Sequence, residues 1–200
     1  FSAPVKLYFD YSNSDLALLL ANDTDKFNRW EAGQQLMIRV VLEQVNRFQQ
    51  KKPLELSEDL LKAFQNILEH SSKNEPALLA QTLSFPSESY LGEIMDAIDV
   101  VAVHESRKFV RKQLAKKLHN QFEIIFSENQ EKGTYSIDSE SMGRRSLKNV
   151  CLGYLAEENS PKVVKLCSEQ FNKHGNMTDV VGALGVLTNI DCPEREYAFN

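Results

Sequence analysis

The run Asp25-Lys26-Phe27-Asn28-Arg29-Trp30-Glu31-Ala32-Gly33-Gln34-Gln35-Leu36-Met37-Ile38-Arg39-Val40-Val41-Leu42-Glu43-Gln44-Val45-Asn46-Arg47-Phe48 decides the fold class of this 200-residue chain. Asp25 offers a side-chain oxygen to the unpaired N–H groups of a helix start. Behind it Phe27, Trp30, Met37, Val41, Val45 and Phe48 recur at three-, four- and seven-residue steps, a single apolar stripe along a helix. Pro53 has no N–H to donate and ends the run. In that stripe Trp30, the only tryptophan, is expected to anchor the core, with truncation to alanine costing roughly 3–5 kcal/mol.

The same punctuation continues toward the C-terminus. Ser57 opens a helix burying Leu60, Leu61, Phe64, Ile67 and Leu68, and Pro76 suits the first turn of the next. Ser87 starts a short helix through Leu91, Ile94 and Met95. One long helical stretch is expected from about Val101 to Phe126, followed by the longest loop, Ser127 to Asp138. Helices resume from about Ser141 to Ala156, and Ser160-Pro161 forms a cap and first turn ahead of Val163, Val164, Cys167 and Phe171. Gly175 reads as a C-terminal glycine and Thr178 as the cap before Val180, Val181, Leu184 and Leu187. Asp191-Cys192-Pro193 begins a last helix that the chain leaves at Asn200.

Toward the N-terminus the pattern changes. Ser14 or Asn13 can cap a short helix, but in Pro4 to Tyr11 the apolar residues Val5, Leu7, Phe9 and Tyr11 alternate, as in a half-buried strand. A lone strand leaves its backbone groups unpaired. Residues 1–12 are therefore expected to be the last strand of a preceding domain, and residues 13–200 the helical domain. The fold class is all-α: stacked antiparallel helix pairs forming a solenoid-like α-superhelix, preceded by one short β-strand from a truncated domain. Without a repeat at the usual solenoid periods, a compact irregular bundle is the structural alternative.

Composition narrows the partners. Twenty-three Lys and Arg against 28 Asp and Glu give a net charge of −5, which argues against nucleic-acid binding. No apolar run reaches the roughly 20 residues of a membrane span. Three cysteines, Cys151, Cys167 and Cys192, lack Cys-x-x-Cys spacing, pointing to a reducing, cytoplasmic setting.

Chemistry-bearing patterns are sparse. His104-Glu105-Ser106-Arg107-Lys108 places an ammonium where a zinc peptidase helix needs its second histidine, so it reads as a charged helix turn. His119 and Glu123, four apart, read as a solvated pair with no third ligand nearby; His70 and His174 read as helix-end residues. The cations from Arg107 to Lys117 are spread around a solvated helix, and Arg144, Arg145 and Lys148 read as a salt-bridging helix start. Gly182 and Gly185, inside a helix, would let a neighbour approach closely. The expected site assignment is accordingly empty: no catalytic, cofactor-binding or metal-binding residue.

Four phrases nonetheless resemble the C-terminal region of the aminopeptidase N family of zinc-dependent gluzincins. They are Phe1-Ser-Ala-Pro-Val5; Asp23 to Gln34 with its Phe27-Asn-Arg29-Trp30-Glu31-Ala32 core; Arg145-Ser-Leu147-Lys-Asn149-Val-Cys151-Leu152; and Asn176-Met177-Thr178-Asp179. The resemblance implies the end of a β-sandwich followed by the first part of a helical superhelix. It implies a parent enzyme that removes N-terminal residues from peptides using zinc. The family's catalytic motifs are absent here, so this segment would have no cofactor of its own. It would enclose a peptide chamber and pack on the catalytic and β-sandwich domains, with no nucleic-acid partner and no membrane span. A free-standing helical-repeat module that binds a peptide or protein is the alternative function.

Overall fold

A computed structural model describes residues 9–71, 75–131, 133–173 and 175–199. The expected strand at Pro4–Tyr11 falls largely on residues 1–8, outside that set. Phe9 to Ser12 are irregular, with the Phe9 and Tyr11 rings 4.5 Å apart and the Arg39 guanidinium donating to the Tyr11 carbonyl.

The described residues form eleven helices. The first five are α1 (Asn13–Asn22), α2 (Lys26–Gln49), α3 (Glu58–Ser71), α4 (Pro76–Leu83) and α5 (Glu88–Glu93). They are followed by α6 (Val100–Lys117), α7 (His119–Glu128), α8 (Ser139–Leu155), α9 (Pro161–Asn172), α10 (Met177–Leu187) and α11 (Pro193–Phe199). A 3₁₀ turn, Ala156–Glu158, closes α8. α1 packs on α2 and α3, α2 on α4 and α6, α4 and α7 on α8, and α9 on α10. The result is the stacked helical array that the caps foretold, its core running without a break from Leu16 to Ile190.

Most starts sit where the sequence put them. Asp25 accepts from the Asn28 N–H at 2.9 Å, Ser87 from Tyr90, and Ser160 from Val163 ahead of Pro161. Asp25→Ala should lower stability by about 1 kcal/mol, a fall in melting temperature of about 2–4 °C for a chain this size. An unchanged melting curve would show that the cap contributes nothing.

Other boundaries differ for local reasons. α1 is capped by Ser12 rather than Ser14 or Asn13. Ser12 forms a capping box with Asp15, accepting from its N–H at 3.1 Å and donating its own N–H to the carboxylate at 2.9 Å. α10 is capped by Asn176, whose side-chain oxygen lies 2.8 Å from the Asp179 N–H, leaving Thr178 inside the helix. α9 ends in right-handed backbone at Lys173, and no described glycine, Gly175 included, adopts a positive φ.

The long helix expected from Val101 to Phe126 is two helices. The chain bends at Leu118 (φ −114°, ψ 20°), yet the Leu118 N–H still donates to Leu114 and its carbonyl still accepts from Phe122. The bend interrupts the helical ladder, and it buries Leu118 while bringing α7 onto α8. No proline or glycine marks it.

Along α2 the buried line is Ala32, Leu36, Met37, Val40, Val41 and Val45. Phe27 is 65% exposed, and Trp30, half-buried, packs against it at 5.8 Å. Both rings line an open groove between the first turns of α2 and the residues of α4, with Leu78 and Phe85, instead of entering the core. The cost of truncating Trp30 consequently falls below that of a fully buried ring.

Glycine placement separates close approach from mere tolerance. A Cβ on Gly143 of α8 would sit 2.9 Å from the Ala77 backbone nitrogen of α4, and one on Gly182 of α10 2.7 Å from the Asn149 side chain. One on Gly185 would meet nothing within 4 Å, so only Gly182 of that pair serves helix approach. Gly143→Ala sets an overpacking cost of about 1–3 kcal/mol against a helix-propensity gain of about 1 kcal/mol. A net loss of stability is expected, because the obstacle is backbone. Gly185→Ala has only the gain, so chemical denaturation should move the two midpoints in opposite directions.

Candidate functional site

The phrases Arg145 to Leu152 and Asn176 to Asp179, distant in sequence, meet in space. Arg145, Lys148 and Asn149 follow helical spacing on one face of α8, and the start of α10 lies against that face. Lys148 is 2% exposed and Asp179 7%, and their Nζ and Oδ2 atoms lie 2.5 Å apart. Asp179 also accepts from the Asn149 amide at 3.2 Å and the Asn176 amide at 2.9 Å. Its position in the first turn of α10 places the carboxylate at the favourable end of the helix dipole.

The network spreads in both directions. Gln170 of α9 donates to the Asn149 side-chain oxygen at 2.8 Å and to the Asp179 carbonyl at 2.9 Å. The Asn176 amide also reaches Glu131, at 3.2 Å, which pairs with Arg145 at 3.0 Å. Arg145, 4% exposed, donates further to the Ser136 carbonyl at 2.7 Å and lies 4.8 Å from the centre of the Tyr135 ring. One guanidinium thus holds the loop between α7 and α8. A cleft of about 370 Å3 opens over this cluster, lined by Lys148, Gln170, Asn176 and Asp179 with Phe126 and Leu166 beneath.

Its chemistry is that of a clamp. Lys148 and Arg145 are each matched by a carboxylate, which is what makes burial of Arg145, Lys148 and Asp179 tolerable. Among the described residues, neither buried cysteine is an activated nucleophile. The Cys151 thiol is buried and pushed up from its ordinary range, and burial raises Cys167 to about 12. Neither forms a ready thiolate. The Tyr154 phenol, likewise raised by burial, donates to the Leu83 carbonyl at 2.7 Å.

The histidines divide differently from their sequence reading. His70 contacts the Asn66 carbonyl in the last turn of α3, as a helix-end histidine would. His104 lies 3.0 Å from Glu88 on the surface, while His174 lies outside the described residues. His119 and Glu123 acquire a third group that their spacing did not reveal: Glu158, 2.9 Å from His119. Lys162 pairs with Glu123 and completes an ion cluster. Among the described residues, no three His, Cys, Asp or Glu side chains are grouped to hold a metal. Nor is any described helix long and apolar enough to cross a membrane.

The sequence reading of Arg144, Arg145 and Lys148 as a salt-bridging helix start holds, since all three pair with carboxylates, but it did not anticipate the burial of Arg145 and Lys148. The available signal was the pairing of two cations, three apart, with an Asn-x-x-Asp cap later in the chain.

Stacked, separately capped helix pairs around one continuous core define an armadillo-type helical domain. The chain belongs to the family described as "Domain of unknown function (DUF3458_C) ARM repeats", whose model matches residues 13–200. It is 34% identical over 196 residues to aminopeptidase N of Escherichia coli strain K12, covering 98% of this chain and 22% of that protein. Aminopeptidase N of Haemophilus influenzae is 35% identical over 189 residues (94% and 21%), and that of Caulobacter vibrioides 33% over 198 (99% and 22%). The crystal structure of Legionella pneumophila aminopeptidase A in complex with aspartic acid superposes with a TM-score of 0.82. Its identity is 32%, over 98% of this chain and 24% of that one. The chain thus spans only about a fifth to a quarter of the length of these relatives. The helices range from 6 to 24 residues, and a repeat built from elements of such unequal length leaves no fixed period in sequence.

Proposed function

We propose that this chain is the first portion of the C-terminal helical domain of a zinc aminopeptidase that removes N-terminal residues from peptides. The observation that carries the reading is collinearity: three aminopeptidases N match along 94–99% of this chain at 33–35% identity. In this reading residues 13–200 wall a peptide chamber and pack on the catalytic and β-sandwich domains, and residues 1–12 belong to the sandwich. The start of the family match at residue 13 supports that boundary.

The segment contributes no catalytic or metal-binding residue. The donor set here does not fit zinc, since His104 faces Lys108 in place of a second histidine and His119 is engaged by carboxylates and Lys162 nearby. Zinc would therefore be held elsewhere in the parent protein. Three free cysteines support a cytoplasmic setting.

The test compares the complete polypeptide carrying this sequence with residues 1–200 alone, on an aminoacyl-anilide and with zinc analysis after dialysis. Cleavage and retained zinc are expected of the former and neither of the latter. A complete polypeptide without aminopeptidase activity, or cleavage by residues 1–200 alone, would overturn the reading.

A further inference from the structure

On α6, His104, Arg107, Lys108 and Arg111 stand at i, i+3, i+4 and i+7, a single helical stripe. The sequence had suggested cations dispersed around the helix. Instead these four form one wall of a concave cleft of about 600 Å3, opposite the ends of α8 and α10. Two carboxylates share the cleft, and both are engaged. Glu88 lies 3.0 Å from His104, and Glu157 3.1 Å from Arg111, whose guanidinium also lies 5.3 Å from the Tyr154 ring centre.

That leaves Arg107 and Lys108, which make no ion pair among the described residues. Arg107 is half-buried, and its Nε donates to the Pro86 carbonyl at 2.8 Å, which fixes the plane of the fork. Burial, the largest influence, and the adjacent Arg111 disfavour its charge, while Glu88 and Glu157 favour it from a distance without pairing with it; an anion bound directly would complete that compensation. A held guanidinium with its terminal N–H groups uncommitted suits a planar or tetrahedral oxyanion.

We propose that the α6 cleft binds a small oxyanionic ligand, a carboxylate or phosphate group taken by Arg107 with Lys108 and Arg111 flanking it. The enclosed volume fits a small molecule and, with the chain's net charge of −5, does not fit a polyanion. The carboxylates of Glu88 and Glu157 set the selectivity by opposing anions that approach away from Arg107.

Calorimetric titration of the full Phe1–Asn200 chain with inorganic phosphate and with succinate, against chloride at matched ionic strength, tests this. Saturable binding of either is expected, with the preferred anion identifying the group. R107Q should weaken it at least about tenfold, E88Q should strengthen it, and K116Q, outside the stripe, should leave it unchanged. Lys108 is exposed, so K108Q keeps the fold and carries the test if R107Q does not fold. Neither anion binding better than chloride, or K108Q and R107Q both binding as the wild type does, would overturn the proposal.

Discussion

Asp179→Ala is expected to destabilise the chain by about 3–5 kcal/mol, because it strands a buried ammonium. Lys148 is 2% exposed, and among the described residues its only ion-pair or hydrogen-bond partner is Asp179, so removal of the carboxylate leaves nothing to compensate the charge. Lys148→Met should cost less, because Asp179 keeps the Asn149 and Asn176 amides and its place at a helix start. The double variant Lys148→Met/Asp179→Leu should recover most of the loss, since an apolar pair of similar volume incurs no charge desolvation. Urea unfolding at constant slope measures all three. Single variants within about 1 kcal/mol of the wild type, the usual worth of an exposed pair, would mean that the pair is solvated and that the cluster does not hold α8 to α10.

Tyr154→Ala should produce a loss of similar size by a different route. The ring is fully enclosed, stacked on Phe122 at 4.4 Å and 5°, and edge-on to Phe64 at 6.4 Å. Its removal empties the junction of α3, α7 and α8, at a cost of about 3–5 kcal/mol. Tyr154→Phe keeps the packing and deletes only the hydroxyl that donates to Leu83 at 2.7 Å. Its expected cost is about 1–3 kcal/mol, the price of a buried carbonyl left without a donor. The ratio of the two in thermal or urea unfolding separates packing from hydrogen bonding. A phenylalanine variant as damaged as the alanine one would place the energy in the hydroxyl.

The helices were legible where a residue type has one local meaning. Asp25, Ser87, Ser160 and the prolines at 76, 161 and 193 mark helix starts by unpaired N–H groups or a fixed φ, and the structure uses them so. What stayed hidden depends on neighbours that periodicity cannot see. Leu118 bends the chain with no breaker, because the burial gained by α7 against α8 outweighs a slight distortion of backbone. Phe27 and Trp30 fit the stripe by spacing but line an open groove against α4. Arg145 and Lys148 read as salt-bridging cations, but their burial stayed hidden because their counter-charges, Glu131 and Asp179, lie outside α8, 14 and 31 residues away. On α6 the cations read as spread around a solvated helix, and only the ends of α8 and α10 single out the stripe that faces a cleft.

The bend at Leu118 has a mechanical meaning. A glycine hinge swivels; an elbow whose apex residue is packed at 2% exposure, with its N–H held by the helix before it and its carbonyl by the helix after it, is stiffer. A displacement of α6 is therefore expected to carry α7 with it, as a lever arm moves a crank, because any change of their angle must unpack Leu118.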